Sequence, residues 1–360
     1  MKQFRNHKIK LAMVCNSSNP DLVEYFKCKI KAIERAGISG QTIVLINRFI
    51  KTDDSLRCYI SSYTNKAFLD KFTIIDFFVS FYIFAVLLRS HVKIIHFTTA
   101  HISNLFLAVP LKCFGTELIF TIHDLEPHPD SKSFFIRIYN YVVINLLADR
   151  IISFSRGAIT KQKHKDIFMY VPLCGFEVKI NKPKSGKYVL FFGRMEKYKG
   201  LNHLLCLIEE IVRLRLDMNF VIAGKGNIDN IERFRKHTNV RIINRFVKDD
   251  EVFDLFAGAS FTILPYDSAT QSGVILLSYA HATPVIVYNI GCLNEYVVNG
   301  KTGYIVGYKD NNAIVDILKT TNEDKIRELS AGAIQLFQDR YSTAPCERYY
   351  AEMYKKLILQ

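Results

Sequence analysis

The sequence predicts an α/β protein built from two Rossmann-like, doubly wound domains that face each other across a cleft. Three observations predict it. Short apolar runs alternate with longer amphipathic ones through the first half, a basic stretch with prolines then breaks the pattern, and a second alternating series follows. The length agrees, because 360 residues suit two domains of ~100–200 residues better than one.

In chain order, Lys8–Cys15 (KIKLAMVC) is a buried strand, Asn16–Pro20 a polar loop, and Asp21–Ala36 a helix closed by Gly37. Thr42–Ile46, Lys93–Phe97, Glu117–Ile122 and Arg150–Phe154 are further strands with helical stretches between them. Phe72–Leu88 (FTIIDFFVSFYIFAVLL) carries a single acid, Asp76. A bilayer span needs ~20 apolar residues, so this shorter run is expected to be a buried helix, with lipid contact along part of its face as the alternative. The break falls at Val171–Ser185, which sets the domains at 1–175 and 176–343. The second series begins with strand Tyr188–Phe192, helix Gly200–Leu214 and strand Asn219–Ala223. It continues with helix Ile228–His237, strand Val240–Ile243, helix Asp250–Gly258 and strand Ser260–Leu264. Helix Gly273–His281, strand Val285–Tyr288 and further helices complete it.

The charge balance, 48 − 34 = +14, asks for an anionic partner: a polyanion, an anionic membrane surface or an anionic substrate. No basic stripe interleaved with aromatics appears, which argues against nucleic acid. Residues 1–180 carry 24 bases and 14 acids, and residues 181–360 carry 24 and 20, so the excess lies mainly in the first half. Eight cysteines without a C-x-x-C spacing point to a reducing compartment rather than to bridges or zinc. With no apolar stretch after Met1–Lys10 long enough for a signal peptide, a cytoplasmic location is expected. The loop after the first strand, CNSSNP, lacks the glycines of a dinucleotide fingerprint, which counts against a nicotinamide oxidoreductase.

Three segments carry chemistry. Gly193-Arg194-Met195-Glu196-Lys197-Tyr198-Lys199-Gly200 opens directly after a strand and runs into a helix. A guanidinium fork, an ammonium and a helix start suit a diphosphate, although the segment also reads as a solvated loop. In Leu264–Val274 (LPYDSATQSGV), the helix start at Gly273 with Thr270, Gln271 and Ser272 offers more donors, unless Ser272 merely caps the helix. Glu295, after strand PVIVY, can accept hydroxyls of a ribose or sugar, or can serve as a helix-start carboxylate. In the first half, His123 stands at a strand end beside Asp124, with His128 nearby. His123 can donate to a leaving or acceptor oxygen with Asp124 orienting it, or it can be a satisfied loop histidine.

GRMEKYKGLNHLL, VIAGKGN and LPYDSATQSGVILLSYAHATPVIVYNIGCLNEYVVNGKTGYIV, in this order, resemble the C-terminal domain of retaining GT-B glycosyltransferases of family 4. The resemblance spans Tyr188 to Val306 and is more diffuse in the first half. It implies Arg194 and Lys199 on the donor diphosphate, Gly193, Gly224 and Gly226 in turns near the nucleotide, and Arg245-Phe246-Val247 beside the base. It further implies His123 near the transferred sugar, and a last helix, 344–360, that packs back on the first domain. The family usually has Glu-x7-Glu where this chain has Thr270 and Ser278, so Gln271, Ser272 and Glu295 are candidate substitutes. The expected reaction moves a sugar, with retention, from a nucleotide-diphosphate sugar to a glycan or lipid-linked glycan in bacterial-type surface polysaccharide assembly. An epimerase of the same architecture and a catalytically silent nucleotide-binding homologue are the alternatives. With no D-x-D triplet, no metal or other cofactor is expected, and protein cations must neutralise the leaving diphosphate. Asn16, Ser17, Ser18, His128 and the stretch His96–His101 are expected on the acceptor side, at the inner membrane surface.

Overall fold

The computed structural model describes residues 10–17, 20–47, 57–62, 74–125, 133–175 and 186–359. Ser18, His128, residues 1–9 and residues 176–185 of the expected linker lie outside the described residues. The chain divides into two compact units: Met1–Pro172 with Ala344–Gln360, and Leu173–Thr343. Leu173 and Cys174 are buried, and the Gly175 amide donates to the Tyr341 carbonyl, so the start of the expected linker is packed into the second unit.

The first unit holds β1 (Leu11–Cys15), β2 (Thr42–Asn47), β3 (Arg57–Ser62), β4 (Ile94–Phe97), β5 (Glu117–Thr121), β6 (Arg150–Ser153) and β7 (Phe168–Tyr170). All pair in parallel, in the order β3-β2-β1-β4-β5-β6-β7. Every residue of β1, β2 and β4 is buried, which is why these strands read as continuous apolar runs rather than alternating ones. The connecting helices are α1 (Pro20–Ala36), α2 (Ile74–Arg89), α3 (Ser103–Cys113), α4 (Ser133–Val142) and α5 (Arg156–Thr160), and a π-helical turn, Val143–Leu147, extends α4.

The run that forms α2 differs from the buried helix expected. It buries Asp76, Ser80, Ile83 and Leu87, while Phe78, Phe81 and Tyr82 are exposed. Its polar residues therefore point inward and its aromatics outward.

The C-terminal helix, Thr343–Leu359, is anchored by buried polar contacts within the first unit. Tyr354 Oη lies 2.6 Å from His96 Nδ1, and His96 Nε2 lies 2.8 Å from Thr121 Oγ1. Lys29 Nζ stands 5.0 Å from the ring centroid of Tyr350. His96 is thus a fully buried core residue rather than part of an acceptor wall, and burial holds its pKa well below the ordinary value.

The second unit holds β8 (Tyr188–Phe192), β9 (Phe220–Gly224), β10 (Val240–Asn244), β11 (Ala259–Leu264), β12 (Val285–Tyr288) and β13 (Gly303–Val306). They form a parallel sheet in the order β10-β9-β8-β11-β12-β13. Its helices are α6 (Leu201–Arg213), α7 (Ile231–Arg235), α8 (Asp249–Ala257), α9 (Gly273–Ala280), α10 (Asn311–Thr320) and α11 (Glu323–Leu336). Both sheets have the Rossmann strand order, with the reversal between β1 and β4 in one and between β8 and β11 in the other. Ligands of open α/β sheets bind beyond the strand carboxyl ends at that reversal, which directs attention to the loops after β1, β4, β8 and β11.

Removing the Tyr354 hydroxyl leaves a buried imidazole nitrogen without its partner. Tyr354→Phe is expected to lower unfolding free energy by ~1–3 kcal/mol, read from denaturant curves with an unchanged m-value.

Candidate functional site

In the second unit, the loop after β8 bends through Gly193 at φ +117° and ends in a short 3-10 turn, Lys197–Lys199, closed by Gly200 at φ +72°. A Cβ on Gly193 would sit 2.8 Å from Lys199 Nζ, so this glycine leaves room for the ammonium. Lys199 is 7% exposed; its Nζ donates to Tyr266 Oη at 3.2 Å and stands 5.1 Å from that ring's centroid. Burial, helped by the charge of Arg194, pushes the Lys199 pKa down to about 8. Arg194 by contrast is exposed and paired with Glu196 at 2.7 Å. Such an exposed pair is worth ~0–1 kcal/mol, so an arriving anion can take the guanidinium at little cost.

Neighbouring turns close around this loop. A Cβ on Gly224, at φ +145°, would lie 1.8 Å from the Gly193 carbonyl oxygen, and one on Gly226 2.5 Å from that of Met195. The Met195 amide donates to Lys225. These glycines are required because two strand-end backbones touch. The loop after β11 is held on both sides in the same way: Cβ atoms on Gly200 and Gly291 would meet the carbonyl oxygens of Pro265 and Ala269 at 1.7 and 1.9 Å. The segments 193–200, 224–226, 265–273 and 291–292 therefore form one constellation at the sheet's reversal.

Within it, Thr270 and Ser272 are buried, Gln271 is half-buried and Gly273 is exposed at the start of α9. Ser272 makes no side-chain cap; its hydroxyl bonds Tyr266, the phenol that also receives Lys199. Ser278, the second position of the replaced acidic pair, is fully buried, with its Oγ on Thr262 Oγ1 at 2.7 Å and on the Thr283 carbonyl at 2.8 Å. It is a core residue with no access to a ligand. Glu295 is half-buried in a 3-10 turn, Leu293–Glu295.

After β10, Val247 belongs to the core beside Leu190, Ala223 and Phe256. Phe246 is 73% exposed and Arg245 is paired with Glu251, so of the three residues expected beside a base only Phe246 offers a free ring face. Sequence reasoning passed over Tyr266 and the cluster around Asp267, whose Oδ1 lies 2.7 Å from both His203 Nε2 and Tyr308 Oη. Tyr266 sits two residues past the end of β11, a position that could have signalled it.

In the first unit, the loops after β1, β4 and β5 meet around His123. Its ring packs on Phe154 at 5.0 Å and Tyr25 at 6.1 Å. Its Nδ1–H goes to the Thr98 carbonyl, which serves as the orienting acceptor in place of Asp124. Nε2 is buried with no hydrogen-bond partner among the described residues. Burial first, then the charge of Lys29, lower the pKa to about 4. At neutral pH the ring is uncharged, and with Nδ1 carrying the proton, Nε2 presents a lone pair. In that tautomer Nε2 accepts from a proton donor such as a hydroxyl. Asn16 is buried, and its side-chain nitrogen is engaged by Ser103 at 2.9 Å and Asn104 at 3.0 Å, so it braces α3. Ser17 is half-buried next to it, and buried His101 bonds Ser103 Oγ at 2.5 Å. Among the described residues, no group of three or more His, Cys, Asp or Glu side chains is placed to hold a metal ion.

The strand order and these loops define a GT-B architecture, two Rossmann-like domains in one chain. Residues 186–324 match the family described as Glycosyl transferases group 1, so the second unit carries a glycosyltransferase group 1 domain. An uncharacterized 41.2 kDa protein in the cps region of Klebsiella pneumoniae is 24% identical over 257 residues, 66% of this chain and 71% of that protein. A Mycobacterium tuberculosis glycogen synthase is 29% identical over 149 residues, 40% of this chain but only 36% of that enzyme. Among solved structures, a sucrose-phosphate synthase from Thermosynechococcus elongatus superposes with a TM-score of 0.71 at 17% identity, covering 98% of this chain and 99% of that one. Anabaena HepE, in complex with UDP and glucose, gives 0.67 at 14% identity over 96% and 99%.

Two outcomes follow from these environments. The His123 ring should stay neutral, and its imidazole 15N resonances should show no titration near the ordinary pKa of ~6.5, only one near 4. For Lys199, a folded-state pKa below the unfolded value means that its charge destabilises the ligand-free fold below about pH 8 and that this cost fades as pH rises above 8. Lys199→Met should therefore raise the ligand-free melting temperature at pH 7 while abolishing any stabilisation by a nucleoside diphosphate.

Proposed function

We propose that this protein is a retaining glycosyltransferase of family 4 that moves a sugar from a nucleotide-diphosphate sugar to a glycan or lipid-linked glycan in surface polysaccharide assembly, at the inner face of the membrane. One observation carries the reading: a buried ammonium and an easily released guanidinium flank a glycine turn at the reversal of a Rossmann sheet, inside the segment matching the glycosyltransferase family. Cleavage of the anomeric C–O bond leaves new negative charge on the diphosphate. Lys199, Arg194 and the start of α9 are the groups that receive it, with no metal required. At ~4 Å, a unit charge contributes ~4 kcal/mol at an effective dielectric of 20, enough to matter to a barrier. His123 offers a hydroxyl of the sugar or acceptor its lone pair. Retention follows the family's same-face attack, with no protein nucleophile invoked. HepE, whose structure contains UDP and glucose, and the relative from a cps region support the donor class and the polysaccharide context.

A second reading, a nucleotide-binding homologue without turnover, draws on the loss of both acidic residues, with Ser278 absorbed into the core. A thermal-shift panel of UDP-, GDP- and ADP-sugars, followed by transfer assays on any hit, separates the two. A ligand at 100 times its Kd stabilises by ~2.7 kcal/mol. Arg194→Ala and Lys199→Ala are each expected to cut transfer by ~10²–10³ while circular dichroism stays unchanged. Undiminished transfer in both variants would remove the assignment, and binding without turnover in the wild type would favour the silent homologue.

A further inference from the structure

The first unit presents an apolar face that the donor site does not use. On α2, Phe77, Phe78, Phe81 and Tyr82 are between 48% and 67% exposed, at spacings that place them on one side of the helix. The opposite side carries Asp76 and Ser80 inward, and Asp76 acts electrostatically on buried His101. An ordinary surface helix has the reverse arrangement. Here Asp76, acting on His101, and Ser80, whose hydroxyl donates to the Asp76 carbonyl, share the inward side with Ile83 and Leu87, and the aromatics are left outside.

The patch continues onto α3. Phe106 packs on Phe77 with ring centroids 6.0 Å apart, and Phe114 packs on Phe84 at 5.7 Å, while Phe106 and Phe114 themselves remain exposed. On the far side of α3, the π-helical turn after α4 accepts a hydrogen bond from Lys112 through the Leu147 carbonyl, and α4 adds exposed Phe134 and Tyr141. Charge is just as one-sided. Across α2, α3, α4 and that turn, the one acidic residue is Asp76, which is buried; Arg89 and Arg137 are exposed, whereas half-exposed Lys112 is paired at 2.9 Å with Asp149 just beyond the turn.

We infer that this face lies in the interfacial layer of an anionic lipid bilayer, with the α2–α3 aromatics entering the acyl boundary and Arg89 and Arg137 meeting headgroup phosphates. Aromatic side chains on a protein face bury about 5–10 Å into the headgroup and acyl boundary, and bases beside them draw that face to anionic lipid. A second copy of the chain suits the face less well, since a two-fold contact would set its bases against one another with no exposed acid on these elements to answer them. No described helix is long and apolar enough to cross the membrane, so the mode is insertion from one side. This goes beyond a purely electrostatic attachment: salt should weaken binding without releasing the protein.

The test uses the full-length chain and sedimentation with vesicles, either phosphatidylcholine alone or with about a third phosphatidylglycerol. The expected result is binding to the anionic vesicles at least about tenfold above the neutral ones, with most of it surviving a high-salt wash. Phe78→Ser, Phe81→Ser and Tyr82→Ser combined should lower binding about tenfold or more with an unchanged melting temperature. Arg89→Glu with Arg137→Glu should abolish the preference for anionic lipid, and Val212→Ser with Leu214→Ser, exposed on the second unit, should change nothing. Absence of wild-type binding, complete release by salt, or light scattering showing a dimer that the triple variant dissolves would each overturn the proposal. None of these outcomes bears on nucleotide binding by the second unit.

Discussion

An ammonium held out of water beneath a glycine turn constrains most of what surrounds it. Lys199 can occupy that socket because Gly193 lacks a Cβ, which also lets Gly193 take its positive φ, and Gly224, itself without a Cβ, lets a second strand end approach the Gly193 carbonyl. The same backbone closeness recurs at Gly200 against Pro265 and at Gly291 against Ala269, so four loops become one rigid surface. Tyr266 completes the socket, taking a bond from Lys199 on one side and bonding Ser272 on the other. A group whose pKa is pushed down to about 8 by burial is costly to keep charged even with Tyr266 as its partner, and an anion beside it would lower that cost.

The first unit treats its central titratable group the opposite way. His123 stands over buried Lys29, among Tyr25 and Phe154, and both burial and charge drive it to the neutral form. The Thr98 carbonyl fixes which nitrogen carries the proton. One unit thus offers fixed positive charge at its sheet reversal and the other an uncharged lone pair. Each suits a different chemistry: a fixed charge suits an anion, whereas an uncharged lone pair suits a proton donor such as a hydroxyl.

Much of this was legible in the sequence, and the remainder was hidden for physical reasons. Strands buried on both faces announce themselves as apolar runs, so β1, β2, β4, β5, β6, β8, β9, β11 and β12 were readable, as were the edge strand β10, through its run of β-branched residues, and the motif from Gly193 to Gly200. β3 (RCYISS), β7 (FMY) and β13 (GYIV) are sheet-edge strands, short or polar, and carry no comparable signal. The α2 run has the composition of a buried helix, and only its packing reveals that Asp76 and Ser80 lie inward while Phe78, Phe81 and Tyr82 lie outward. Composition cannot show which side of a helix its neighbours want. His123 was legible as a residue, but its tautomer was not, because that depends on a carbonyl 25 residues earlier, at Thr98.

The replaced acidic pair shows how a site can change without losing its frame. Ser278 now closes a hydrogen-bond ring with Thr262 and Thr283 in the core, so that position has become structural. Thr270 keeps a buried place in the loop but brings no charge. A hydroxyl meeting a neutral side chain there forms a hydrogen bond roughly half as strong as one to a carboxylate. Removing the carboxylates also removes negative charge from the surroundings of Lys199 and the start of α9, where it would have offset the positive potential. Both effects act in the same direction: with no carboxylate at positions 270 and 278 to offset Lys199 and the start of α9, the chemistry of this constellation favours an anion over a neutral hydroxylated group.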